Sequence, residues 1–171
     1  MFANAGKYEA CGIFTRDHFI LLASTIIGIF IALKHTINKG KNTIYKIIKY
    51  TTIVAWILEV IKIYFNIKQN SIKAVNTYAP LYYCSILLYA GLLSSFGKGV
   101  LKRIGDVSLA TGAIVGGIVF IIYPSTSLPF YPAFHFLSIH SFLFHGAMIY
   151  LGILINKTRY IDLELKDSKY F

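Results

Sequence analysis

Runs of apolar residues long enough to cross a bilayer dominate this chain and limit what it can fold into. A helix needs about 20 mostly apolar residues to span a hydrocarbon core of roughly 30 Å. The sequence offers five candidate stretches, about His18 to Thr36, Tyr45 to Ile67, Val75 to Phe96, Val107 to Tyr123 and Phe134 to Ile155. Inside a membrane no water satisfies an open backbone, so such runs form helices. The expectation is an all-α, polytopic transmembrane helix bundle of about five spans in residues 1–156, followed by a short polar tail in residues 157–171. Composition agrees: 14% of residues are charged, against about 25% in a soluble domain.

A net charge of +10 would fit nucleic-acid binding only if the basic residues formed one face. Here they lie in the segments between apolar runs. Lys34, Lys39, Lys41, Lys46 and Lys49, then Lys98, Lys102 and Arg103, then Lys157, Arg159, Lys166 and Lys169 fall on one side, and only Lys7, Arg16, Lys62, Lys68 and Lys73 on the other. The positive-inside rule then puts the N-terminus outside and the tail in the cytoplasm. The start lacks a basic stretch followed directly by an apolar one, so the first span serves as its own insertion signal. The uncharged segment Pro124 to Pro132 reads as a rigid cap at the outer interface.

Ionisable side chains inside a span are costly and mark functional positions. The chain has few: Glu59 in the second candidate span, Cys84 in the third, His140 and His145 in the fifth, with His18, Lys62 and His135 nearer the ends. At 1.5 Å per residue, Glu59, Cys84 and His145 lie roughly 12–17 Å below the outer boundary, in one layer. A thiol in apolar surroundings stays protonated and inert unless a base takes its proton, which a histidine within reach does. Cys84 with His145 makes such a pair; Glu59 orients the imidazole or, protonated, donates to the site; and Tyr82, Tyr83 and Ser85 are the nearby donors for an acyl oxyanion.

Each group also has a purely structural use. A lone intramembrane cysteine packs as a small hydrophobe, the histidines bond between helices, and Glu59 pairs with Lys62 three residues on. Pro80 introduces a bend before Cys84. Gly112 and Gly116, spaced as GxxxG, let a helix approach closely, within the chain or in a homo- or hetero-oligomer. His135, His140 and His145 recur every five residues, about 500° of helix turn. They therefore do not share a face, and a metal site would need a ligand from elsewhere, such as His18. The reading assigns no metal and no cofactor.

Two stretches carry a family resemblance: Ala79-Pro80-Leu81-Tyr82-Tyr83-Cys84-Ser85, and Pro132 to Tyr150 with its His140, His145 and Gly146. Together with Gly116-Gly117-Ile118-Val119-Phe120-Ile121-Ile122-Tyr123-Pro124, they resemble the bacterial YwaF-like integral membrane proteins. Those are similar to eukaryotic transmembrane protein 164, a phospholipid acyltransferase, and more distantly to the androgen-induced lipid hydrolases. The resemblance implies a Pro-Leu-x-x-Cys nucleophile on Cys84 and an intramembrane histidine on His145, or His140 in a shifted alignment. It also implies a membrane phospholipid or other lipid ester as substrate and a bacterial inner membrane as the location. Tyr82 stands where YwaF-like chains often have histidine, and those chains tend to continue through a further span.

The expected function is therefore a lipid acyltransferase or acyl hydrolase working through an acyl-cysteine. The rivals are a small membrane transporter or channel-like protein with a polar intramembrane cavity, or a non-enzymatic membrane assembly subunit.

Overall fold

The computed structural model describes residues 5–68 and 80–170, with the backbone but not the side chain of Cys84. These residues are all-helical, with 73% of them in helix and no strands among them. The helices are α1 Arg16–Thr36, α2 Lys41–Lys68, α3 Ile86–Phe96, α4 Val100–Ala110, α5 Gly112–Ile122 and α6 Phe136–Lys157. Short 3-10 turns occupy Tyr83–Ser85 and Leu165–Tyr170.

Helix ends follow local chemistry. The Thr15 side chain accepts the His18 N–H and caps α1, and Asp17 in the first turn with Lys34 and His35 in the last match the helix dipole. His135 caps α6 by accepting the Leu137 N–H on Nδ1 at 3.2 Å, so the first of the three spaced histidines has a structural use.

Among the described residues three helices are long and apolar enough to cross a membrane: Arg16–Thr36, the α4–α5 run Val100–Ile122, and Phe136–Lys157. The difference from five has two sources. The 28 residues of α2 are long enough but carry Glu59, Lys62 and several lysines. The expected third span shortens to the 11 residues of α3, a rise of about 16 Å, because Pro80 to Tyr82 are not helical; its expected start, Val75, lies outside the described residues. The fourth span starts earlier than expected and breaks at Thr111, whose φ of −126° and ψ of −72° interrupt the helix.

α6 is the hub, packing on α1, α2, α4 and α5, with 67% of its most apolar window buried against 0% for α1 at the periphery. One core joins Ile44 and Ile48 of α2, Leu87 and Leu88 of α3 and Leu151 of α6. A second, smaller one joins Phe120, Ile121, Leu128, Phe142 and Ile149. Glycines set the close contacts: a side chain at Gly91 would meet Thr52, and one at Gly105 would meet the Ser94 backbone.

At the end of the bundle where α1 and α6 finish, polar groups pair thoroughly. Asp106 accepts from Ser94 Oγ and from Lys102 Nζ at 2.8 Å, and Lys102 also donates to Tyr160 at 3.0 Å. The polar tail docks there rather than hanging free, since Arg103 bonds Asp167 and the Asp162 carbonyl.

Candidate functional site

The opposite end of the bundle holds the ionisable residues singled out in the sequence. α2 sets the position of Glu59 through Trp56, whose Nε1–H donates to the Leu88 carbonyl at 3.1 Å and locks α2 against α3. Three residues on, Glu59 turns inward and is 2% exposed. Its Oε1 lies 2.6 Å from Lys62 Nζ, and its Oε2 lies 3.9 Å from His140 Nε2. Glu59 therefore stands against His140 and Lys62, rather than against His145, whose imidazole it was expected to orient.

His140 and His145 are both buried, at 3% and 5% exposure, with the ring of Phe144 beside each. His145 Nδ1 lies 2.7 Å from the Ser141 carbonyl oxygen. A carbonyl only accepts, so Nδ1 carries the proton and Nε2 keeps its lone pair. Among the described residues that Nε2 has no hydrogen-bond partner, nor has either ring nitrogen of His140. One face of the His145 imidazole is covered by Phe120, at 3.6 Å between ring centres and 6° between planes. Gly117 makes this possible: a Cβ there would press on the His145 carbonyl and Ile149, so only glycine lets α5 come close enough for Phe120, one turn later, to reach the ring.

The backbone of Cys84 sits in the 3-10 turn immediately before α3; its side chain lies outside the described residues. That turn packs on α5. A Cβ at Gly112 would meet the Tyr83 hydroxyl at 3.0 Å, and one at Gly116 would lie 3.4 Å from the Tyr83 ring and 3.1 Å from Met148 of α6. The turn carrying Cys84 thus shares a level of the bundle with Gly112 to Gly117, next to the stretch of α6 that includes His145. Cys84 also precedes the N-terminus of α3, where the helix dipole favours negative charge. Tyr82 and Tyr83 are largely exposed, while Ser85 is buried. Gly112 and Gly116 face this turn and α6, so the chain itself fills the small-residue face.

His18 and His135, outside this cluster, are engaged. His18 Nδ1 accepts the Phe14 N–H at 3.0 Å, which leaves Nε2–H to donate to the Ile121 carbonyl, also at 3.0 Å. His18 therefore ties the start of α1 to the end of α5 and offers no free lone pair to a metal. Among the described residues no group of three or more His, Cys, Asp or Glu is placed to hold a metal ion. Sequence reasoning missed the stack of Phe120 on His145, which depends on how closely α5 approaches α6 at Gly117.

Residues 13–170 match the model of the TMEM164 family, a range that contains every described helix and all the residues of the candidate site. No curated protein and no solved structure matches the chain.

Proposed function

The chain belongs to the TMEM164 family, and from that premise we propose that this membrane protein transfers or hydrolyses acyl groups of membrane lipid esters, with Cys84 as nucleophile and His145 as base. The observation that carries the reading is the His145 tautomer: Nδ1–H engaged by Ser141 and a lone pair open on Nε2. An imidazole held this way is ready to take a proton.

In the proposed reaction the Cys84 thiol gives its proton to His145 Nε2 and the sulfur attacks the ester carbonyl carbon. The new C–S bond forms as the ester C–O bond breaks, and His145 returns the proton to the departing lysolipid oxygen. A lipid hydroxyl or water then attacks the acyl-cysteine, with His145 taking the attacker's proton and passing it to the Cys84 sulfur. Tyr82, Tyr83 or Ser85 stabilises the oxyanion, and Glu59 with Lys62 positions His140 beside the site. The reading needs no cofactor. It places the site toward the outer leaflet, with the N-terminus outside and the tail in the cytoplasm of a bacterial inner membrane, in keeping with the basic residues at the Lys41 end of α2, the α3–α4 connection and the Lys157 end of α6.

The transporter reading is less favoured. Leu87, Leu88, Met148 and Leu151, all at 0% exposure, fill the space between the histidines and the charged far end, where a polar path would have to run.

Mass spectrometry of lipids from cells expressing wild type against Cys84→Ala tests the proposal. Wild type should redistribute acyl chains or release fatty acid, and Cys84→Ala should match cells lacking the protein. Identical lipid profiles from the two proteins would remove Cys84 from the chemistry.

A further inference from the structure

Between α1 and α6 lies a cavity of about 300 Å³ lined by Ser24, Thr25, Gly28, Phe142, Leu143 and Gly146, among others. An apolar cavity of about 150 Å³ accepts the six carbons of benzene, so this one has room for roughly a dozen. Its hydroxyl groups ask nothing of an occupant: Ser24 and Thr25 both donate to the Leu21 carbonyl, at 2.9 and 2.8 Å, and Tyr150 donates to Thr36 at 3.1 Å. None of these three hydroxyls has a proton left to donate to a polar headgroup.

Glycine accounting strengthens the case. Inside the described helices, a Cβ at Gly91, Gly105, Gly112, Gly116, Gly117, Gly146 or Gly152 would meet a neighbouring atom within 4 Å, so each has a packing reason. At Gly28 it would meet nothing within 4 Å. Mid-helix glycine costs about 1 kcal/mol relative to alanine, and nothing in the packing of the bundle offsets that cost here; what the missing side chain leaves is open space. The cavity opens sideways where Gly28 and Leu143 are exposed, on a helix whose most apolar window is unburied. In a bilayer that opening faces hydrocarbon.

We propose that the α1–α6 cavity is a binding site for one acyl chain of a membrane glycerolipid. Its floor at Gly146 adjoins His145 in the chain, so a lipid lying there has its chain beside the proposed site. The assignment as an acceptor of substrate chains rests on the acyl-transfer reading, whereas chain binding itself does not.

The full-length protein is reconstituted in phosphatidylcholine vesicles doped with a phosphatidylcholine carrying a diazirine midway along one acyl chain, irradiated, and its adducts mapped by peptide mass spectrometry. Wild type and Cys84→Ala should both label α1 near Gly28 and α6 near Gly146. Gly28→Leu should cut that labelling roughly tenfold by filling the space, and Gly28→Ala should cut it less. Labelling at exposed Ile57 and Val60 of α2 should stay constant in every variant, which reports an intact bundle. Groove labelling unchanged in Gly28→Leu, with the α2 reference intact, would overturn the site. Loss of the α2 reference in Gly28→Leu transfers the decision to Gly28→Ala, where unchanged groove labelling overturns the site and a decrease supports it. Failure of the Cys84 chemistry would instead leave groove labelling intact and appear only as lipid turnover that persists in Cys84→Ala.

Discussion

The two ends of the bundle bury polar groups in opposite ways. Around Asp106 each carboxylate oxygen, the lysine and the tyrosine have partners, and Asn156 donates to the Ala110 and Gly152 carbonyls. Around His145 the opposite holds. Apart from the Ser95 hydroxyl, the unpartnered buried side-chain atoms among the described residues all belong to His140 and His145. Leaving such an atom unpaired costs about 1–3 kcal/mol. Among the described residues the Asp106 end leaves only the Ser95 hydroxyl unpaired, whereas three imidazole nitrogens carry that cost at the other end. On the acyl-transfer proposal the second end carries the chemistry and the first only holds the fold, so substitutions should separate them.

The largest effect is expected from His145→Phe. Phenylalanine keeps the stack on Phe120 and removes the open nitrogen, so lipid turnover should fall by about 10²–10⁴-fold, with little change in thermal stability in detergent. Retained turnover would break the comparison. Asp106→Ala is the mirror experiment. It strips partners from Ser94 and Lys102 and should destabilise the protein by about 2–4 kcal/mol, read as a lower Tm, while turnover measured below that Tm persists. A stability loss from His145→Phe as large as that from Asp106→Ala would erase the distinction.

The smallest effect concerns the tail. Hydrogen bonds from Arg103, and then from the Glu164 backbone N–H, hold the Asp167 carboxyl below the usual carboxylate range. A group whose pKa is lower when folded contributes stability above its unfolded value, and loses it as pH falls through the folded value. Amide exchange in residues 162–170 should therefore be slow at neutral pH and, after correction for intrinsic rates, quicken only as the pH drops below the ordinary aspartate range. Asp167→Asn should quicken it at neutral pH as well.

Helix existence was legible because apolar length is a direct consequence of bilayer thickness, and α1 and α6 begin and end within two residues of where that length places them. The Thr111 break was not legible, since residues on both sides are apolar and the run reads as continuous. Nor was the late start of α3, because a proline inside a membrane helix is compatible with either a bend or an end. Depth counting brought Glu59 and the histidines to one end of the bundle but did not choose between the imidazoles. His140 and His145 are only about 7.5 Å apart along the axis, and rotation about α6 decides which one meets α2. The open Nε2 depends on the Ser141 carbonyl, and the Phe120 stack on how closely α5 approaches at Gly117; both are matters of side-chain rotamer and helix packing rather than spacing along one helix.

Intact-protein mass spectrometry after incubation with a phospholipid of defined chains tests the central assignment most directly. The account predicts a hydroxylamine-labile acyl mass on Cys84 that is absent in Cys84→Ala and strongly reduced in His145→Phe. Lipid turnover by wild type with no acyl group ever on Cys84, or an acyl-protein that forms equally well in His145→Phe, would contradict it.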